Sequence, residues 1–347
     1  SEGELGLALM GMAVGVLLAL TLAGSLIARF GSRTVTAAGG ILLCLALPPL
    51  ALMPNGMALW ANLFLYGGIM SLMDVAMNAQ GVDVERALGR SVMSSFHAAF
   101  SIGGFVGAGI GAVMAFWGVG PALHFLIAAA GFMLLILLAA PHQLPVPPDS
   151  EPDMTGPVFR LPPRVLWPLG AVAFCSSIGE GAMSDWSAVY LKSTVGTTDG
   201  VAALGFAAFS LTMTAGRLLG DNLAMRFGAA NLVRAGGVCA ATGLLLAILI
   251  PQAAPVLLGF AAVGAGLSIV VPLAFSAAGN MPGLPSGVGI AGVATIGYAG
   301  FLAGPPAIGL VAEITTLRIA MLLVLLLVGS LVYTSQALRR PRLSEQT

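Results

Sequence analysis

The sequence predicts an all-α polytopic membrane protein built from two related helical bundles. Three observations carry that prediction. Charged residues make up only 8% of the 347 and apolar residues 58%. Uncharged or nearly uncharged stretches of about twenty residues tile almost the whole chain, each long enough to cross about 30 Å of hydrocarbon at about 1.5 Å per residue. A stretch near the N-terminus recurs in the second half. The other all-apolar architecture, a membrane β-barrel, needs segments of about ten residues with alternating character, and these runs do not alternate.

Eleven spans read 5–27, 34–53, 57–81, 91–117, 120–140, 165–191, 201–225, 230–250, 255–279, 286–312 and 317–337. The first carries the early copy of the repeat, and the second is almost wholly apolar. The third holds a polar stripe of Gly67, Ser71, Asp74 and Asn78 at spacings of four, three and four, which at about 100° per residue is one narrow face. The fourth continues the pattern with Ser94, His97, Ser101, Gly104 and Ala108, and the fifth is apolar apart from His124 near its start. The sixth places Ser176, Glu180, Ser184 and Ser187 on one face. The seventh carries the second copy of the repeat. In the tenth, Gly304, Pro305 and Pro306 predict a kink, because proline lacks the N–H and its ring meets the preceding turn. Gly103, Gly107 and Gly111, with Gly300, Gly304 and Gly309, are expected to let helix backbones approach closely. Cys44, Cys175 and Cys239 all fall inside spans, so no disulfide framework is implied.

Counting basic residues in alternate loops orients the chain. Arg29, Arg33, Arg86, Arg90, Arg160, Arg164, Arg226, Arg234, Arg339, Arg340 and Arg342 lie on one side, against Lys192 and Arg318 on the other. Positively charged loops stay inside, which predicts a cytoplasmic C-terminus. The one long connection, 141–164, is rich in proline and polar residues and suits an extended linker. The expected organisation is a bundle over 1–140, the linker 141–164, a second bundle over 165–338 and a tail over 339–347.

LAGSLIARFG at 22–31 aligns with LGDNLAMRFG at 219–228, a shift of 197 residues, matching at Leu22, Leu26, Arg29, Phe30 and Gly31. SIGGFVGAGIGAV at 101–113 answers YAGFLAGPPAIGLV at 298–311. Parallel repeats of one bundle are the arrangement of a large class of secondary transporters. The shift sets Ser1 opposite Thr198, just beyond the span 165–191. The expectation is therefore twelve spans, eleven of them present, with a first helix encoded upstream of Ser1.

Gly24, Arg29, Phe30, Gly31 and Arg33 resemble the loop signature of the major facilitator superfamily, a glycine followed by Asp-Arg-x-Gly-Arg-Arg. Here Ala28 stands at the aspartate position and Ser32 at one basic position. GRLLGDNLAMRFG at 216–228 is closer to the form of that family's other half, with Arg217, Asp221, Arg226 and Gly228 in place. MDVAMNAQ at 73–80, SSFHAAFSIGG at 94–104 and EGAMSDWSAVYL at 180–191 are similar to a bacterial branch near the fucose permeases. The resemblance implies the major facilitator fold and transport by two rocking bundles.

A charge within the bilayer is costly, so one that is present faces a cavity, a partner or a pathway. Asp74 and His97 lie at comparable depth on consecutive spans, where they form either a proton-exchanging pair or a hydrogen bond that only fixes packing. Glu180 sits about 17 Å from the outer end of its span, near mid-membrane. Asp185 points about 140° away from it unless Gly179 or Gly181 breaks the helix. Trp186 is either an interfacial anchor or a platform for a sugar ring. Arg217 and Asp221, four apart near the cytoplasmic end of 201–225, are expected to neutralise one another or to pair with the opposite bundle, as a gate.

There is no Walker loop and no zinc-spaced His and Cys cluster, and no cofactor, metal or nucleic acid is expected. The expected function is secondary active transport of a small polar solute across a bacterial inner membrane, coupled to protons, by a monomer. Sugars, polyols or cationic solutes are favoured because no basic side chain is placed at mid-membrane. An exporter of drugs or metabolites with the same fold is the alternative. An embedded enzyme using Asp74, His97 and Glu180, and a transporter-like receptor or lipid flippase, are the rival classes.

Overall fold

A computed structural model describes residues 2–145 and 161–339. Most of the expected linker, 146–160, and nearly all of the tail, 340–347, lie outside the described residues, and with them Arg160, Arg340 and Arg342. The described residues form α1 (Glu2–Phe30), α2 (Ser32–Ala46), α3 (Gly56–Leu88), α4 (Met93–Phe116), α5 (Pro121–Ala139), α6 (Trp167–Ser193), α7 (Asp199–Phe227), α8 (Ala229–Leu249), α9 (Ala253–Leu267), α10 (Val270–Gly279), α11 (Ser286–Ile314) and α12 (Leu317–Thr334), with no strand among them. Because α9 and α10 share one apolar segment, Ala253–Gly279, the described residues hold 11 segments long and apolar enough to cross a membrane. All eleven expected spans are therefore helical.

Their ends follow local chemistry. Asn55 opens α3 by accepting the Ala58 N–H at 2.9 Å, and Gly89 closes it with a left-handed φ of 64°. The helix thus runs seven residues past the expected end at 81 and adds two polar turns bearing Asp83, Glu85 and Arg86. The break between α9 and α10 falls at Ser268 and Ile269. Pro272 accounts for it, since its ring meets the carbonyl four residues earlier, that of Ser268, and offers no N–H to it. α6 is continuous through Gly179 and Gly181, so the helix break considered near Glu180 lies in another span instead. α11 also runs on through Pro305 and Pro306.

The repeat is visible in backbone and packing alike. α1 and α7 each have 29 residues. They end at glycines of matching conformation, Gly31 at φ 79° and ψ 151° and Gly228 at φ 79° and ψ 146°. Both angles lie where a side chain is strained, which explains why glycine ends both copies. Arg29 lies 5.2 Å from the Phe30 ring centre and Arg226 5.2 Å from that of Phe227. A Cβ on Gly67 would collide with the Met12 carbonyl oxygen, and one on Gly264 with that of Phe209. Both members of that second pair are the first pair's positions advanced by 197. Such approaches are how membrane helices pack where hydrocarbon offers no hydrophobic drive between them.

These glycines, not the expected ones of α4, make the close contacts. A Cβ on Gly103 or Gly107 would have no described neighbour within 4 Å, whereas one on Gly300 would meet the Phe174 carbonyl at 2.6 Å. Cys44, Cys175 and Cys239 are free thiols.

The chain divides into two compact units. The first comprises 1–89, 100–163 and 278–295, and the second 90–99, 164–277 and 296–347. The start of α4 falls in the second unit and the start of α11 in the first.

Candidate functional site

Within the second unit, Glu180 is the central residue of α6, thirteen positions from either end. Its Oε2 lies 3.6 Å from Nη2 of Arg217 on α7, the two side chains being 15% and 10% exposed. Ser176, one turn earlier on α6, donates its hydroxyl to Glu180 Oε1 at 3.2 Å, and Ser184, one turn later, donates to the Glu180 carbonyl at 3.1 Å. The serine stripe read from the sequence therefore brackets the carboxylate.

Asp221, one turn beyond Arg217, has different partners. Its Oδ1 accepts the Ser94 N–H at 3.0 Å and the Ser91 hydroxyl at 3.1 Å. Its Oδ2 accepts the Ser95 N–H at 2.8 Å and the Ser95 hydroxyl at 2.5 Å. These N–H groups open α4, where a helix has donors without partners and a partial positive charge. The expected mutual neutralisation of Arg217 and Asp221 gives way to two separate interactions, one with a carboxylate and one with a helix end. Their close fit rests on glycine: a Cβ on Gly216 would collide with Ser268 Oγ at the α9–α10 break, and one on Gly220 would stand 2.7 Å from Ser94 Oγ.

The ion pair also places a guanidinium beside the middle of α6, which removes the premise that no basic side chain lies at mid-membrane. The preference for neutral or cationic solutes drawn from that premise lapses with it.

The remaining predicted residues are distributed as follows. His97 is in the second unit, its ring centre 6.0 Å from that of Phe275. Asp185 is exposed on the continuous α6, off the Glu180 face. Trp186 packs its six-membered ring near Gly309, and its buried indole N–H meets no hydrogen-bond acceptor among the described residues. In the first unit, Asn78 donates Nδ2 to the Asp74 carboxylate at 3.2 Å and to its carbonyl at 2.9 Å. Asp74 and Glu180 belong to different units. Gly24 is held close to Val288 of α11, and Arg33 donates to the Pro141 carbonyl at 3.4 Å. Gln80 was not singled out by the sequence, although a glutamine near the end of a span was a readable signal, and Ser32 and Arg86 entered only as a departure from the loop signature and as a loop charge.

Comparison with known proteins decides the family. Residues 1–305 match the family model of the Major Facilitator Superfamily. The chain belongs to this superfamily. An uncharacterised MFS-type transporter of Yersinia pestis is 39% identical over 266 residues, covering 77% of this chain and 68% of the relative. An uncharacterised transporter of Sinorhizobium fredii is 35% identical over 268 residues, covering 77% and 70%. The fold is that of the E. coli fucose:proton symporter FucP, with a TM-score of 0.79 over 97% of this chain and 91% of that one, at 16% identity. This superfamily member is a multi-pass membrane transporter carrying small molecules, and not an enzyme.

Proposed function

We propose that the chain is a secondary active transporter that moves a small polar solute by alternating access and couples the movement to protons. The observation that carries this reading is the Glu180–Arg217 pair at the middle of α6. A proton and the Arg217 guanidinium compete for the same carboxylate. Protonated Glu180 is neutral and no longer holds Arg217, so proton uptake exchanges one local arrangement for another. A central charged pair with two states is what a coupling site requires. The fucose:proton symporter of the same fold supports the choice of ion. Within the second unit, His97 is proposed as a further proton-carrying group and Trp186 as a residue that meets the solute; within the first, Asp74 with Asn78 is proposed as another such polar site.

The solute is neutral or charged but small and polar, sugars and polyols first. A thermal-shift screen of the purified protein against sugars, polyols, amino acids, organic anions and cationic drugs at two pH values tests it, since a bound ligand raises the melting temperature the more its concentration exceeds Kd. The expected result is one class of ligand that stabilises the protein and whose effect depends on pH. Stabilisation with no pH dependence in any class removes the proton from the mechanism.

The protein sits in a bacterial inner membrane with its linker and C-terminus in the cytoplasm, as the uneven distribution of basic loop residues supports. A cysteine placed at Ser150, with the three native cysteines replaced, is expected to resist an impermeant thiol reagent in intact cells and to react after lysis. Reaction in intact cells reverses the orientation.

A further inference from the structure

We propose that Arg234 and Arg318 form a reciprocal clamp that holds α8 and α12 together at both ends and, with Tyr190, makes α6, α8 and α12 shift as a single strut. Its bearing on transport rests on the transport reading, since Glu180 lies on α6; the clamp itself does not. All the residues concerned belong to the second unit.

The end of α8 shows the clamp most fully. A helix leaves its last four carbonyls without partners of its own, here those of Leu246, Ala247, Ile248 and Leu249. Leu246 takes the Ile250 N–H at 3.0 Å. Tyr190, in the last turn of α6 and 1% exposed, donates its hydroxyl to the Ala247 carbonyl at 3.0 Å. Arg318, the second residue of α12, donates from Nε to the Ile248 carbonyl at 2.7 Å and from Nη2 to that of Leu249 at 3.4 Å. Side chains from two other helices thus take up the three remaining carbonyls. At the opposite end of the pair the roles are exchanged. Arg234, in the second turn of α8, donates from Nε at 3.2 Å to the carbonyl of Val332, in the last turn of α12. A Cβ on Gly237 would stand 2.9 Å from that of Leu331, so the two helices run close together there.

Each arginine comes from the start of one helix and binds the end of the other, as only antiparallel neighbours allow. A cation at a helix C-terminus meets the negative end of its dipole. In hydrocarbon, a carbonyl that loses such a partner finds no water to replace it. The planar fork of a guanidinium suits the task because it spans two successive carbonyls. The two arginine contacts lie about 22 Å apart along α8, from Arg234 to Leu249. α8 can therefore tilt or slide against α12 only by breaking at least one of them, and Tyr190 ties α6 to the same end. Arg318 is also one of the two basic residues on the sparsely charged side of the loop count, and its bonds to α8 account for its place there. The positions 197 earlier hold Ala37 and Pro121, so the clamp belongs to the second half of the repeat alone.

Thermal unfolding and hydrogen exchange of the full-length protein in lipid nanodiscs, without solute, test the clamp. Sites this far apart ordinarily add their effects on stability. A clamp behaves otherwise, because one closed end still holds the pair. Arg234→Met and Arg318→Met are each expected to lower Tm slightly, and the double variant to lower it by about twice the sum of the two. Tyr190→Phe removes a bond to α8 and none to α12, yet it is expected to speed exchange about tenfold at Ala320 to Leu322 of α12. If the methionine pair does not fold, Arg234→Lys with Arg318→Lys, which keeps both charges and loses the fork, takes its place. Losses of Tm that simply add, or faster exchange confined to the ends of α6 and α8, overturn the strut. Either failure leaves the transport reading standing, and a ligand screen without hits leaves these two results standing.

Discussion

Replacing Glu180 with glutamine is expected to abolish proton-driven accumulation of solute while exchange of solute across the membrane persists. The amide keeps the size and the hydrogen bond from Ser176 but takes up no proton. It also withdraws the carboxylate from Arg217 in a place where the two side chains are 15% and 10% exposed. Removing one partner of a buried pair costs on the order of 3 kcal/mol, because the remaining charge stays desolvated. A lower melting temperature should therefore accompany the loss of coupling. The two effects separate in the double variant Glu180→Gln/Arg217→Met, which is expected to recover part of the stability and none of the accumulation. Asp74→Asn is likewise expected to impair accumulation. Gradient-driven uptake and counterflow in proteoliposomes, at two pH values, measure both properties. If both amide variants still accumulate solute with unchanged pH dependence, neither carboxylate carries the proton.

How much of this was legible in the sequence depended on whether the signal lay along one helix or between helices. The spans were readable because an apolar run long enough to cross a bilayer has one stable form, the helix, in which every backbone polar group is satisfied internally. The repeat was readable because Arg29, Phe30 and Gly31 recur as Arg226, Phe227 and Gly228, and both copies fold alike. The helix break falls before Pro272 and not beside Glu180 for a simple reason. Glycines beside Glu180 suggested flexibility, but Gly179 is small so that Leu267 and Val328 can pack against it, whereas Pro272 removes a backbone bond outright. The partner of Arg217 was not readable at all. Counting along α7 placed this residue near a helix end, and nothing in that count shows which neighbouring helix runs alongside or how far a long guanidinium side chain reaches. The same holds for Asp221, two of whose four hydrogen bonds come from main-chain N–H groups that any sequence would provide.

Asp221→Asn is expected to release the first turn of α4. The native carboxylate accepts four hydrogen bonds from Ser91, Ser94 and Ser95. Two of them come from N–H groups that have no partner within their own helix. Asparagine offers one acceptor oxygen and turns an NH₂ group, itself a donor, toward the other donors. It also removes the negative charge that complements the helix terminus. A lost cap and a lost charge interaction each cost about 1 kcal/mol, so their sum raises the population of the opened turn roughly tenfold or more. Met93, fully buried at the start of α4, reports that opening. As a single cysteine at that position, with Cys44, Cys175 and Cys239 replaced, it should react slowly with a maleimide when Asp221 is present and about ten times faster in the Asp221→Asn background. An equal rate in both backgrounds means that Asp221 does not hold this turn. Its four hydrogen bonds would then be local satisfaction of a buried carboxylate, and the gate would have to be sought in other residues.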